Sequence, residues 1–305
     1  MFPADIFPLA LGTAPFGTAI GRDTAFAILD AFLALGGDLI DTAAVYGMGA
    51  SEQTIGDWLK DRRARDKITV ATKGGHPSIP DWQQRLTEQD VRADLEASLR
   101  NLQTDYIDVY FLHRDDPSKP VEDIMPMLHK LVCEGKVQRL GASNWTVERI
   151  EQANDFAKKN GMTEFCVSQI FWNGAHINKQ GVYDQTLVVM DEEQHAGYAK
   201  NSMPVMAYTA QAQGLFSQIR DKGYEGLSEG MMRTYLNETT KARAARILQL
   251  SGMTGISPTA LSLAYLLYDR DVKAYPILGI SRLERLQEAL QIFTLDQNDL
   301  APLFE

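Results

Sequence analysis

Basic charge, cysteine and long apolar runs are all scarce in this sequence, and each scarcity closes off a class of function. Its 30 Lys and Arg against 40 Asp and Glu leave a formal net charge of −10. Nucleic-acid binding needs clustered cations to replace the counterions around phosphates, so no nucleic-acid partner is expected. A local basic pocket for one small phosphorylated ligand stays open. There are 2 cysteines, Cys133 in a helical pattern and Cys166 in a strand-like run. With neither a disulfide framework nor a metal-ligand spacing in view, both read as buried thiols, and no metal is expected. No apolar run reaches the roughly 18 residues that a membrane span requires. The opening MFPADIFPLA lacks the basic-then-apolar order of a secretory leader. A reducing cytoplasm is the expected compartment, and a monomer without membrane contact is the expected state.

What is present is a steady alternation of short apolar runs with longer amphipathic ones. Leu9 to Leu11 ends at Gly12-Thr13, Leu39-Ile40 ends at Asp41, Ile68 to Ala71 leads to Lys73, and Ile107 to Leu112 leads to His113. Val137 to Leu140, Phe165 to Ile170, Pro204 to Tyr208 and Ala274 to Leu278 continue the series. Amphipathic stretches follow them. One carries Phe26, Leu29, Phe32 and Leu33 behind Asp23 as a cap; another has Val91, Leu95, Leu99 and Leu102 behind a capping-box-like Thr87 and Asp90. Eight strand-then-helix units with no compositional break fit an α/β fold, a closed (β/α)8 TIM barrel, as one domain over residues 1–305. A doubly wound open sheet is the runner-up, but LALGTAPFG is not the Gly-rich fingerprint that such a sheet usually carries after its first strand. Residues 74 to 86 and 210 to 238 read as long irregular loops, the second rich in Gly, Gln and Met.

A parallel barrel collects the C-terminal ends of its strands on one face, where barrel active sites lie. That rim carries Gly12 and Thr13, Asp41, Lys73, His113, Ser143 and Asn144, Gln169, Tyr208, and Gly279 to Ser281, with Tyr46 just beyond the second strand. Taken singly, a Lys or Asp there is an ordinary turn residue and a Tyr is packing. Together they describe a chemistry. A phenol with a reference pKa of ~10 holds a proton at neutral pH, and a nearby ammonium eases its release. A carboxylate beside the ammonium keeps it charged and aimed, and an imidazole can hydrogen-bond a carbonyl oxygen. Such a set protonates an oxygen on which negative charge is developing, as carbonyl reduction by hydride requires.

A hydride donor would leave its own marks. Ser143, Asn144 and Gln169 offer a hydroxyl and amides suited to a carboxamide, and Tyr208 offers a flat face for stacking. Gly279-Ile280-Ser281-Arg282 opens a helix whose N-terminal N–H groups suit phosphate. Arg282 and Arg285, three residues apart in an acidic chain, favour a donor bearing an extra phosphate, NADP(H) over NAD(H).

The chain resembles the aldo-keto reductases over almost its whole length. DTAAVYG with ASEQTIGDWL, ATKGG, LEASLRNLQTDYIDVYFLHRDD, GKVQRLGASNW, YTAQAQGLF and LGISRLERLQEAL carry the likeness in order. The resemblance implies a barrel binding NADP(H) across its C-terminal face, with Tyr46 as general acid–base, Lys73 tuning it, Asp41 holding Lys73 and His113 orienting the carbonyl. It also implies that Ser143, Asn144 and Gln169 hold the carboxamide and that Tyr208 stacks on the nicotinamide. Thr209, Gln211, Leu215 and Ser217 would follow the pyrophosphate, and Gly279, Ser281, Arg282, Arg285 and Glu288 the adenosine 2′-phosphate and adenine. Thr209-Ala210-Gln211 stands where many members have Ser-Pro-Leu.

The function expected on these grounds is NADP(H)-dependent reduction of an aldehyde, ketone or sugar carbonyl, reversible toward alcohol oxidation. The partner is a small carbonyl or alcohol substrate beneath loops bearing Phe16, Trp82, Phe171 and Trp172. Asp115 and Asp116 either contact a polyol or start the turn before Pro117. The alternative is a coenzyme-bound regulatory or sensing subunit with little turnover, like the channel β subunits of the same family.

Overall fold

A computed structural model describes residues 2 and 6–304. Eight parallel strands form a closed barrel in sequence order: β1 (Ala10–Gly12), β2 (Leu39–Asp41), β3 (Thr69–Gly74), β4 (Ile107–Leu112), β5 (Val137–Ser143), β6 (Phe165–Phe171), β7 (Val205–Tyr208) and β8 (Ala274–Gly279). The chain is built as two compact units, Met1–Gln169 and Ile170–Glu305.

In the first unit the strands are buried along most of their length, with Gln138 of β5 an exposed exception. This suits a parallel sheet covered on both faces, which leaves no solvent side for polar alternation. Val109, Tyr110, Phe111 and Leu112 of β4 are all buried. The register aligns Gly12 with Asp41, Asp41 with Ala71, Lys73 with Phe111, and Ser143 with Gln169. Helices follow the strands: α1 (Arg22–Ala34), α2 (Ala50–Arg62), α3 (Glu88–Leu102), α4 (Val121–Cys133) and α5 (Val147–Lys159). The Thr87 side chain accepts from the Asp90 N–H and starts α3 as its spacing predicts. At the head of α1, by contrast, Gly21 is the N-cap, and Asp23 lies inside the first turn, where its charge meets the helix dipole. Gly56 permits α2 to lie against α3, because a Cβ there would come within 2.2 Å of the Asn101 carbonyl oxygen.

The second unit has its own core, with Phe171, Leu187, Val189, Phe216, Tyr235, Ile247, Leu261 and Ile292 buried together. Its helices include α6 (Glu192–Asn201), α7 (Leu215–Lys222), α8 (Glu229–Tyr235), α9 (Glu238–Thr254), α10 (Pro258–Ser262), α11 (Ala264–Leu267) and α12 (Leu283–Leu290). Much of the stretch from 210 to 238, read above as loop, is therefore helix. Gly214 in the left-handed region turns the chain into α7, and Ser228 caps α8 by accepting from the Met231 N–H. Several strands run further than their apolar cores. Lys73, Ser143 and Gly279 lie within β3, β5 and β8, because the ladder continues past the last apolar residue. The cysteines also differ from expectation: Cys133 is exposed near the end of α4, and Cys166 is half-buried in β6.

Among the described residues no helix is long and apolar enough to cross a membrane.

Candidate active site

The first unit brings Asp41, Tyr46, Lys73 and His113 together. The end of β2 supplies Asp41, and Thr42 continues its ladder by donating its N–H to the Ala71 carbonyl at 2.9 Å. Ala44 N–H donates to the Lys73 carbonyl at 3.0 Å and Tyr46 N–H to the Ala43 carbonyl at 3.0 Å, which folds the loop back over β3. His113 enters just past β4 with its N–H on the Gly74 carbonyl, 2.8 Å away.

Lys73 is buried at 1% exposure, so its ammonium must find partners inside the protein. It donates to Asp41 Oδ2 at 2.9 Å and to the Thr42 carbonyl at 2.7 Å, and its Nζ lies 4.9 Å from the centre of the Tyr46 ring. Gln169 Nε2 donates to the other carboxylate oxygen, Asp41 Oδ1, at 2.7 Å. Both oxygens of Asp41 are thus engaged, which leaves the pair little rotational freedom.

The electrostatics follow from this packing. Burial pushes the Tyr46 phenol above its ordinary value, more than the Lys73 charge and hydrogen bond pull it down, and Asp41 pushes the same way as burial. Burial pulls Lys73 down, yet Asp41 and Tyr46 outweigh it and hold the ammonium above its ordinary value. His113 is driven well below the usual histidine range by burial, then by Lys73, Arg114 and His76. Near neutral pH the site therefore presents a protonated phenol, a charged ammonium and an uncharged imidazole. It can give a proton to an oxygen without first reorganising.

Ser143, Asn144 and Gln169 also converge in this unit. Asn144 N–H donates to the Gln169 carbonyl at 2.9 Å, and its Nδ2 donates to Ser143 Oγ at 3.1 Å and the His113 carbonyl at 3.4 Å. Asn144 takes a left-handed φ of 57°, which aims its side chain back across the strand ends. Thr13, next to Gly12, spends its hydroxyl within the protein: Thr13 Oγ1 donates to the Asp41 carbonyl and also meets Ser51 Oγ, both at 2.9 Å.

In the second unit Tyr208 ends β7 and stacks on Phe171, ring centres 5.5 Å apart and planes 24° apart. The turn after it has Thr209 at φ 54°, and Gln211 Oε1 accepts the Gly279 N–H at 3.0 Å, tying the ends of β7 and β8. Leu215 is buried in the core, and Ser217 Oγ pairs with Thr259 Oγ1 at 2.8 Å. Ser281 precedes Arg282, the N-cap of α12, which has no side-chain cap hydrogen bond. Arg282 comes only within 4.0 Å of Glu284, whereas Arg285 pairs with Glu288 at 2.7 Å.

The four aromatics assigned to a substrate pocket differ sharply. Phe16 is fully buried, and Phe171 and Trp172 are largely buried, the latter meeting the His195 ring at 6.2 Å. Trp82 is 41% exposed. Asp115 pairs with Arg149 at 3.3 Å, and Asp116 Oδ1 accepts from Ser118 N–H and Oγ to form the turn. One group was not singled out from the sequence: His76, directly after Gly75, whose ring lies 4.8 Å from that of His113. Its place after ATKGG was the available signal, but contact between the two histidines depends on how β3 and β4 pair.

A sequence model described as the aldo/keto reductase family matches residues 8–303. The chain is 29% identical to the norsolorinic acid reductase stcV of Emericella nidulans, over 96% of this chain and 76% of that one. It is 30% identical to the aldo-keto reductase ausK of Aspergillus calidoustus, over 95% of this chain and 75% of that one. It is likewise 30% identical to the probable aryl-alcohol dehydrogenase AAD4 of Saccharomyces cerevisiae, over 91% of this chain and 85% of that one. With a match that runs almost from end to end, over a closed eight-stranded parallel barrel, this chain belongs to the aldo/keto reductase family and is an oxidoreductase.

Proposed function

We propose that residues 1–305 act as one functional domain that reduces an aryl aldehyde or ketone to the alcohol with NADPH, reversibly, with Tyr46 as the general acid. The observation that carries this reading is the buried Lys73 ammonium, held by Asp41 at 2.9 Å and by the Thr42 carbonyl at 2.7 Å beside the Tyr46 ring. A lysine so deeply buried and doubly anchored is an uncommon structural element, since burying a charge is costly. It is a natural device for polarising a neighbouring phenol.

The residues present fit a phosphorylated nicotinamide coenzyme. The head of α12 has no side-chain cap consuming its N–H groups, and Arg282 and Arg285 keep exposed guanidiniums beside it. Among the described residues a Cβ at Gly279 would meet only Gln211 Oε1, at 3.9 Å, so that stretch of backbone can be approached closely. When bound, the coenzyme supplies the hydride. Gly279, Ser281, Arg282, Arg285 and Glu288 take its 2′-phosphate and adenine; Thr209, Gln211, Leu215 and Ser217, Leu215 through its backbone, follow the pyrophosphate. Tyr208 offers the stacking face, and Gly12, Thr13, Asp41, Ser143, Asn144 and Gln169 the carboxamide side.

His113, uncharged, donates an N–H to the carbonyl oxygen and aims it at Tyr46. Tyr46 Oη gives its proton to that oxygen as the negative charge grows there. Lys73 stabilises the phenolate that remains, and Asp41 keeps Lys73 in place. The aryl preference is supported by the exposed Trp82, with Met48 and Ile79 also exposed in the same unit, and by the name of one relative, the probable aryl-alcohol dehydrogenase AAD4.

NADPH consumption against a panel of aldehydes, ketones and sugars tests this directly. A general acid contributes about 10²- to 10⁴-fold, so Tyr46→Phe should lose that much turnover while binding NADPH almost as before. Retained turnover would remove Tyr46 as the acid, and tight NADPH binding without turnover on any substrate would favour a sensing role.

A further inference from the structure

The ring of His113 is held in an unusual way. Its backbone is fixed at both ends: the N–H donates to the Gly74 carbonyl at 2.8 Å, and the carbonyl accepts from Arg114 Nη1 at 2.9 Å and Asn144 Nδ2 at 3.4 Å. Yet Nδ1 of the ring is buried and has no hydrogen-bond partner among the described residues. A histidine that must aim one ring nitrogen usually has the other fixed by a hydrogen bond. The terminal torsion of a histidine is broad, so without such a bond the ring plane is soft. Packing has to set it.

Two rings pack against it edge-on. Tyr46 lies 5.9 Å away with planes at 83°, and His76 only 4.8 Å away at 75°. Tyr46 cannot be the sole guide, because it is the group toward which His113 must aim the substrate. His76 is itself well fixed. Its Nδ1 lies 2.7 Å from the Pro77 carbonyl oxygen, which can only accept, so that nitrogen carries the hydrogen. Its ring also meets Trp82 at 5.4 Å with planes at 82°. Trp82 is fastened in turn, since its N–H donates to the Ser78 carbonyl at 2.9 Å and the Ser78 N–H to the Gln83 carbonyl at 2.9 Å. The loop after β3 thus delivers a braced aromatic edge to a ring that lacks its own anchor.

We propose that His76 is a positioning residue for the reduction, fixing the ring plane of His113 through this edge contact. The proposal rests on the reading of His113 as the group that orients the carbonyl. It separates two parts of the loop after β3: Trp82 is partly exposed to solvent and packs on His76, while His76 meets the catalytic ring.

The test compares His76→Ala with His76→Phe, which restores a flat ring but neither a ring nitrogen nor a charge. Kinetics use saturating NADPH and benzaldehyde as the probe. In parallel, histidine-ring 1H–15N signals are recorded on the coenzyme-free protein, with His113→Asn identifying the His113 signal. A misplacement of about 1 Å can cost on the order of 10²-fold in rate, so His76→Ala should lower kcat by roughly 10- to 100-fold. KM and NADPH affinity should stay within about twofold, the signature of an interaction made only in the transition state. His76→Phe should recover most of kcat. The His113 ring signal should be single in the wild type and in His76→Phe, and broadened or doubled in His76→Ala. Unchanged kcat in His76→Ala would overturn the proposal. A loss confined to KM would do so as well, since it would make His76 a substrate contact, and so would His76→Phe being as slow as His76→Ala. If the wild type turns over no carbonyl, the functional reading fails first; the ring signals still decide, and a single sharp His113 signal in His76→Ala overturns the positioning role.

Discussion

Two sets of charged groups, one in each unit, are handled in opposite ways. In Met1–Gln169 the groups at the strand ends are buried and mutually committed: Lys73 to Asp41 and Thr42, Asp41 to Gln169, Asn144 to Ser143 and His113. In Ile170–Glu305 the charged groups at the head of α12 stand at the surface, where Arg282 is paired only at 4.0 Å and Arg285 forms an i,i+3 pair with Glu288. A buried ionic group must be over-determined, because any group left unpaired keeps the full cost of its desolvation. An exposed arginine has water as a standing alternative and can change partners at little cost. One region is suited to chemistry at fixed geometry, the other to gripping and releasing a charged ligand. Mutations should therefore damage folding and chemistry together in the first region, and binding alone in the second.

The largest effect expected is at Lys73. Lys73→Met removes the cation from a buried pair and leaves the Asp41 carboxylate without it, a change that typically costs about 3–5 kcal/mol. Denaturant unfolding should show that loss, and turnover should fall with it, since Tyr46 loses its polarising neighbour. Asp41→Asn added to Lys73→Met should regain much of the stability but none of the turnover. Recovery of both would mean that the pair acts only structurally, and the contrast between the units would collapse.

Why the first unit was the easier to read is a matter of chain periodicity. Asp41, Lys73 and His113 each end or follow an apolar run, and parallel pairing gathers such ends whatever the details of the loops. The limits of the runs were harder to see. Polar Lys73, Thr72 and Ser143 look like strand terminators in a sequence, yet the barrel carries them inside because Asp41, Glu52 and Asn144 satisfy them there, Thr72 donating to Glu52 at 2.7 Å. The second unit misled in the other direction. Its Gly-, Gln- and Met-containing stretch from 210 to 238 looks irregular, but Gly214 and Ser228 are helix starts rather than loop residues. Asn237 likewise caps α9 by accepting from Thr240 N–H. His76 had only its place after ATKGG to mark it, because its contact with the ring of His113, just past β4, depends on how β3 and β4 pair.

At the head of α12 the effect should be smaller and confined to binding. Arg282→Ala with Arg285→Ala removes two exposed guanidiniums, so thermal stability should barely change. Charge-assisted bonds to phosphate contribute about 1.5–3 kcal/mol each at most, and exposure reduces that here. NADPH affinity should therefore fall roughly 10- to 100-fold, and NADH affinity several-fold less. Equal losses for the two coenzymes, measured by fluorescence titration, would show that these arginines do not read the 2′-phosphate.

The smallest effect expected is a dependence on pH, and its sign discriminates between the regions. Tyr46 is raised above the ordinary phenol value, so its proton is present throughout the neutral range, and reduction should decline only as pH rises past about 10. Alcohol oxidation, which needs the phenolate, should climb over the same range. His113 is depressed well below the usual range by burial and by neighbouring positive charge. The unfolded chain therefore takes up its proton first as pH falls through about 6.5, and the stability that neutral His113 contributes is lost progressively below that point. Melting temperatures at about pH 7 and about pH 5 should differ less in His113→Asn than in the wild type. No such narrowing is expected for Arg282→Ala with Arg285→Ala, which leaves His113 and its surroundings in place. An acid sensitivity that is undiminished in His113→Asn would place the titrating groups elsewhere, and the buried unit would owe its rigidity to Lys73 and Asp41 alone.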